Sequence, residues 1–235
     1  MPGAGLARVA AVLGWLTFVT LTLSLVGIFL YAPRERVQGD VQRIFYFHVP
    51  LAWVAYLAFF VVFLGGLMYL WKRDERWDRW ARCSAELGVL FTTLVLATGS
   101  IWGKPIWGTW WTWDARLTST FILWFLYLGY LMLRAYVPDR EQGARFGAVL
   151  GLVAFLDVPI VQMSVVWWRT LHPGPTIIQE SGAAGMPPEM LLVFGVSLVA
   201  FTLLYGALLV QRVRLEELRD AVARWEGAHR GGGAG

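Results

Sequence analysis

Six stretches of this chain are each long and apolar enough to cross a bilayer, and nothing else in the sequence limits the fold so severely. A helix needs about 20 mainly apolar residues to span the hydrocarbon core. The stretches run from Ala11 to Tyr31, Leu51 to Trp71, Ala85 to Trp102, Ser119 to Met132, Phe146 to Trp168 and Met190 to Val210. In the fourth, apolar residues continue to Val137 around Arg134, so that helix is drawn over 119–137. Hydrophobic residues make up 57% of the chain and charged residues 15%, where soluble domains carry about 25% charged residues. The mean hydropathy is +0.56. The predicted fold class is therefore an all-α integral membrane protein with six transmembrane helices. The segments between the apolar stretches are short, which predicts one membrane domain over residues 1–235, with 211–235 as a polar cytoplasmic tail. The first stretch is longer than the apolar region of a cleaved signal peptide and has no small-residue cleavage site before Pro33, so it reads as a retained signal anchor.

Orientation follows from the positive charges. With the N-terminus cytoplasmic, 14 of the 20 Lys and Arg residues fall in inner segments, and Arg34, Arg36, Arg43, Lys104, Arg116 and Arg169 fall outside. This asymmetry predicts that both termini are cytoplasmic and that the segment between helices three and four is external. The pI near 9.5 is thus a topology signal, and it does not point to nucleic acid. The charged run from Lys72 to Arg82 reads as a solvated inner segment, with contact to a cytoplasmic partner as the alternative. Cys83 is the single cysteine, which excludes an intramolecular disulfide, a thiol relay and a Cys-rich zinc site. The chain has neither a CxxCH haem-attachment signature nor a GxxxxGK[ST] phosphate loop, so any ATP-driven step belongs to another subunit.

The predicted outer segment WGKPIWGTWWTWDARLTS, from Trp102 to Ser119, holds Trp102, Trp107, Trp110, Trp111 and Trp113 out of 14 tryptophans in the chain. Membrane anchoring places tryptophans at many helix ends, one or two at a time. Five in one short segment suit a surface that holds something large, flat and apolar. If residues from Ile106 to Thr118 are helical, Trp107, Trp110, Trp111 and Asp114 share one face, with Trp113 turned aside. Gly103 and Gly108 would allow a sharp turn or a close approach to a ring. Asp114 would either cap the following helix or hold Arg116 or a histidine ring, and the residues alone leave both open.

Two of the three histidines fall on the same predicted side. His48 lies in FYFHVP just before Pro50, which suits the first turn of the second helix, and His172 lies in WWRTLHPGP between the fifth and sixth helices. His229 sits in the polar tail at the opposite side. Haem is the ligand that uses these parts together: iron takes imidazole axially, the macrocycle is flat and apolar, and propionates favour cations. His48 and His172 are the candidate metal ligands; Lys104, Arg116, Arg169 and Arg43 are all predicted outside, where some could meet the propionates, the alternative for each being interfacial snorkelling.

WGKPIWGTWWTWDARLTS, FHVPLAW and SVVWWRTLHPGP together resemble haem exporter protein C (CcmC), in the haem-handling family named for its tryptophan-rich WWD motif. The resemblance spans all three outer segments and the six-helix layout. Asp114-Ala115-Arg116-Leu117-Thr118-Ser119 lacks the proline that commonly follows Trp-Asp in the larger haem lyase and cytochrome c synthase relatives. The resemblance implies a haem carrier and transfer platform of cytochrome c maturation in the bacterial inner membrane, not a catalyst. It implies that haem b is bound at the external, periplasmic face and passed to the haem chaperone CcmE. It also implies work beside the ATPase CcmA, the permease CcmB and the small single-helix protein CcmD. The family's axial histidines fall on His48 and His172, and its haem motif on Trp102, Gly103, Trp107, Gly108, Trp110, Trp111, Trp113 and Asp114. Asp157, beside Pro159 in the fifth stretch, has no role in that picture; an intramembrane acid is a functional candidate, or is protonated or bonded to Gln162 or a neighbouring helix. Two rivals remain: a b-type electron-transfer cytochrome, for which a second, inner histidine pair is missing, and a permease for another aromatic solute, for which the helices offer no clear charged or broken path beyond Asp157 and Pro159.

Overall fold

In hydrocarbon, no water is available to backbone N–H and C=O groups, so each spanning segment has to satisfy them internally, as a helix does. The computed structural model describes residues 4–168, 170–172 and 185–231. Among these residues seven α-helices run in order: α1 Ala4–Val26, α2 Phe45–Lys72, α3 Glu75–Trp107, α4 Ala115–Tyr136, α5 Arg140–Phe155, α6 Asp157–Trp167 and α7 Pro188–Gly231. They form six spans long and apolar enough to cross a membrane, α5 and α6 together making the fifth. Arg169 and the residues from Pro173 to Pro175 of the SVVWWRTLHPGP segment lie outside the described residues, as do residues 232–235.

Several breaks between helices have a local cause. A π turn, Gly27–Tyr31, extends α1 and closes with the Ala32 amide donating to the Gly27 carbonyl at 2.8 Å. Ala32 is then extended at ψ 127°, as a residue before proline prefers. Arg73 ends α2 in the left-handed region at φ 55°, and the Asp74 carboxylate caps α3 by accepting from the Arg76 amide at 2.9 Å. The fifth span divides at Leu156 because Pro159 has no N–H to give the Phe155 carbonyl and its ring crowds that same group. Asp157 therefore opens α6, where a carboxylate faces the positive end of the helix; its Oδ2 is buried without a hydrogen-bond partner.

Hydrophobic burial does little to pack helices against each other within lipid, so shape complementarity and small residues decide the contacts. α2 and α3 form the central antiparallel pair. A Cβ on Gly65 would stand 2.9 Å from the Ala81 Cβ, and one on Gly88 would stand 2.4 Å from the Phe59 ring. Phe59 is fully buried and stacks on Tyr127 of α4 with ring centroids 3.7 Å apart. On the other flank, Ser84 donates to the Ala58 carbonyl at 2.7 Å and meets the Tyr205 hydroxyl of α7 at 2.8 Å. α1 lies against α7, where Ser24 and Ser197 share a buried hydrogen bond of 2.7 Å.

The end of the bundle opposite the tryptophan segment is tied by ion pairs. α7 runs past residue 210 as one continuous helix, and Arg212 holds Glu86 of α3 through two bonds of 2.6 and 2.9 Å. Arg82 pairs with Glu216, and Arg79 with Asp220 at 3.0 Å. The run from Lys72 to Arg82, expected to be solvated, thus binds this chain's own last helix. Arg134 of α4 reaches Asp78 at 2.6 Å, with side chains only 10% and 16% exposed. Removing one partner of so buried a pair leaves an uncompensated charge, at a cost of about 3–5 kcal/mol.

The glycine seam gives a matched test. Gly88→Ala improves helix propensity yet drives a methyl into the Phe59 ring, and it is expected to lower stability by about 1–3 kcal/mol. Gly206→Ala, whose new Cβ would meet Leu13 at an ordinary 3.8 Å, is expected to be neutral or slightly stabilising. The apparent Tm of the detergent-solubilised variants reads the difference; equal values would show that the seam is not tightly packed.

Candidate functional site

The seven residues after α3 decide the site, and they do not continue the helix. The condition weighed for Ile106 to Thr118, one continuous helix, is not met: α3 ends at Trp107, and Gly108 sits at φ 76°, its amide donating to the Lys104 carbonyl at 3.0 Å. Glycine adopts that left-handed conformation without the Cβ penalty other residues incur, which is why the helix stops there. Thr109 then donates to the Trp111 carbonyl at 2.9 Å, and Asp114 Oδ1 accepts the Leu117 amide at 2.9 Å as the cap of α4. Capping is therefore the role the structure shows for Asp114, while its Oδ2 is buried without a hydrogen-bond partner. Arg116 turns instead toward Gln162 of α6, at 3.4 Å.

Because the segment turns, its tryptophans separate. Trp107 and Trp111 line a cavity of about 290 Å³ together with Trp102 from the last turns of α3. Trp110 and Trp113 are 58% and 72% exposed and lie off the cavity wall. Trp113 packs edge-on against Trp111 at 5.5 Å, and both rings meet Phe121 of α4. A single helical face carrying Trp107, Trp110 and Trp111 is therefore not what forms. The glycines also divide: Gly108 makes the turn, while Gly103 stays helical and lets the Trp107 ring lie 3.0 Å from where its Cβ would be.

His48 and His172 both line this cavity. His48 is the fourth residue of α2 and Pro50 the sixth, so the expected first-turn place for Pro50 is corrected: a 3-10 turn, Asp40–Ile44, feeds α2 earlier, with Phe45 and Tyr46 buried at its start. The His48 ring lies over α3 at Gly99, where a Cβ would stand 3.0 Å from Cε1, and its Nδ1 is 2.9 Å from Thr98 Oγ1. Trp102 meets the same ring edge-on at 5.7 Å. His172 lies 6.3 Å from Trp107, and its backbone amide donates to Thr170 Oγ1 at 3.1 Å. His229, near the far end of α7, stacks against Trp225 and is remote in the fold from both.

The cations differ in their availability. Arg116 lines the cavity, whereas Lys104 donates to the Gly108 carbonyl at 2.9 Å and Arg43 is bound to the Ile28 carbonyl and to Asp40. Arg43 thus holds the start of α2 against the end of α1. The turn before α2 also serves the site. The Glu35 carboxylate accepts the Val37 and Gln38 amides, and Gln38 Oε1 accepts the Trp102 indole N–H at 3.0 Å. The Gln38 amide is the main reason the Glu35 carboxyl lies below its ordinary value. A lowered carboxyl keeps its stabilising bonds at neutral pH and loses them only as pH falls through that lowered value.

Chemically the cavity offers two imidazoles, three indole walls and one guanidinium. That donor set suits a planar aromatic ligand bearing a metal and acidic edges; the buried Trp111 indole N–H, without a hydrogen-bond partner, adds a donor on one wall. Thr98, Gly99 and Gln38 belong to the site yet have no signature in the sequence, since only the pairing of α2 with α3 brings them to the histidine.

The profile of the family described as heme exporter protein C (CcmC) matches residues 4–226. Relatives named heme exporter protein C are similar along most of their length. The protein from Bradyrhizobium diazoefficiens is 40% identical over 219 residues, covering 92% of this chain and 83% of its own. The one from Haemophilus influenzae is 37% identical over 221 residues, covering 92% and 88%. The one from Escherichia coli strain K12 is 37% identical over 217 residues, covering 88% and 86%. With its six apolar helices and a match over nearly its whole length, the chain belongs to the heme exporter protein C family of multi-pass membrane proteins.

Proposed function

We propose that this protein binds haem b at the external face of the bacterial inner membrane and delivers it to the haem chaperone CcmE, beside CcmA, CcmB and CcmD. The observation that carries the reading is the convergence of His48 and His172 on one cavity walled by Trp102, Trp107 and Trp111. The two imidazoles are the proposed axial ligands and the indoles the proposed cover of the porphyrin. Gly103 and Gly108 let these rings and the turn take their places, and Asp114 secures the start of α4. Arg116 is the proposed partner of a propionate, because it is the cavity's guanidinium and its neighbour Gln162 is uncharged. Trp110 and Trp113, exposed beside the cavity, are proposed to meet the acceptor. The chain's own part is to hold, orient and release haem; energy input is assigned to the ATPase partner.

Replacing either His48 or His172 with alanine is expected to convert a six-coordinate haem spectrum to a five-coordinate one, with added imidazole restoring the original, since a small ligand fills the vacated position. Unchanged spectra in both variants would refute the assignment.

The two kinds of tryptophan give a second test. Trp111→Ala removes a cavity wall, so retained haem is expected to fall at least tenfold, about 1.4 kcal/mol. Trp110→Ala is expected to keep haem but deliver less of it to the chaperone. Haem content and chaperone-bound haem, each normalised to protein in the membrane, separate these effects; equal loss of haem in both variants would contradict the division.

Orientation is read by labelling single cysteines on intact cells in a Cys83→Ala background. Trp110→Cys is expected to react with an impermeant maleimide without lysis, and Arg219→Cys only after lysis. The reverse pattern overturns the proposed topology.

A further inference from the structure

We infer that Thr98 is a positioning residue that sets the tautomer of His48 and so decides which imidazole nitrogen is offered to the cavity. The inference rests on the geometry of three groups. Thr98 Oγ1 stands 2.7 Å from the Leu94 carbonyl one turn back along α3, and a carbonyl can only accept. A threonine hydroxyl has one proton and two lone pairs. With the proton given to Leu94, Oγ1 can only accept toward His48, whose Nδ1 is 2.9 Å away. His48 Nδ1 therefore carries the N–H. In a neutral imidazole the other nitrogen then holds the lone pair, and Nε2 has no hydrogen-bond partner among the described residues.

Gly99 completes the arrangement. It is the next residue of α3, and a Cβ there would press within 3.0 Å of His48 Cε1. The ring can lie close enough to reach Thr98 only because that position has no side chain. Trp102, one turn further, closes the other side edge-on at 5.7 Å. Orientation and tautomer are both imposed before any ligand arrives. An acceptor on the far nitrogen of a metal-binding histidine also raises the basicity of the ligating one. This last step rests on the proposed role of His48 as an iron ligand; the tautomer assignment does not.

The test is made first on the haem-free protein in detergent, labelled with 15N-histidine at about pH 8, above the ordinary histidine pKa of about 6.5. The His48 signals are identified by their loss in His48→Ala. Wild type and Thr98→Ser are expected to show a protonated Nδ1 and an unprotonated Nε2. Thr98→Val, of the same shape but with no acceptor, is expected to shift the proton wholly or partly to Nε2. A wild-type His48 protonated on Nε2, or a Thr98→Val spectrum identical to wild type, would overturn the inference. If Thr98→Val fails to accumulate, the wild-type and Thr98→Ser spectra still decide it.

Haem retention then tests the consequence. Thr98→Val is expected to bind haem about 10-fold more weakly or worse, as loss of a partner behind a metal ligand commonly does, with Thr98→Ser near wild type. Unchanged retention in Thr98→Val alongside a shifted tautomer would overturn the link between them. An unchanged haem spectrum in His48→Ala would instead remove the ligand role and leave the tautomer result standing.

Discussion

The close contact between α2 and α3 is the constraint on which the rest of the molecule depends. The two helices are antiparallel, joined by the turn at Arg73 and Asp74, and they face each other in one register along their length. Gly65 meets Ala81, Phe59 meets Gly88, and His48 meets Gly99. At each point one partner lacks a side chain that would hold the helices apart. Lipid gives apolar helices little reason to prefer each other over the bilayer, so such close approach supplies the packing that specifies the pair. The register set by the inner two contacts carries His48 to Thr98, and the site follows from it.

The two ends of the bundle use polarity in opposite ways. At the end that carries the charged run, opposite charges pair across helices: Arg79, Arg82 and Arg212 of α3 and α7 are matched by Asp220, Glu216 and Glu86. Those pairs fix α7 to the hairpin as far as Asp220. At the other end, described polar groups beside the cavity keep hydrogen-bonding capacity that the fold does not use. The Trp111 indole N–H and one oxygen of Asp114 are buried without hydrogen-bond partners, and Arg116 is held by uncharged partners, Gln162 through a long bond and the Tyr56 side chain. Groups at a packed end hold the fold together; groups with unused hydrogen-bonding capacity beside a cavity are what a binding site needs.

The tryptophan segment shows how a motif can point to a site and still mislead about its shape. Its aromatic density singles it out without knowledge of the fold. Spacing alone suggests one helical face carrying Trp107, Trp110 and Trp111. Gly108 breaks that face by taking a positive φ, and the turn that results sends Trp111 inward and leaves Trp110 exposed. The segment therefore has an inner set of rings suited to a ligand and an outer set suited to another surface. A helix would have offered Trp107, Trp110 and Trp111 to the same place.

Apolar length made the spans legible from composition, because a bilayer tolerates little else over about 20 residues. The family was legible from motifs that keep their residues together in the chain, and the same motifs singled out His48 and His172, which line one cavity. The break of the fifth span at Leu156 was signalled locally by Pro159, whose missing N–H acts on the residues just before it. Other features had no local signal. Pro50 alone suggested a helix starting beside it, whereas the buried Phe45 and Tyr46 carry α2 further back. Arg43 read as an outer cation, and only the approach of α1 to α2 gave it the Ile28 carbonyl. Thr98 reads as an ordinary apolar-helix threonine until its hydroxyl is seen beside Nδ1 of a histidine 50 positions away. Local chemistry and hydropathy act along the chain and are written in it; contacts between distant helices depend on register and on which faces meet, and those exist only once the bundle has formed.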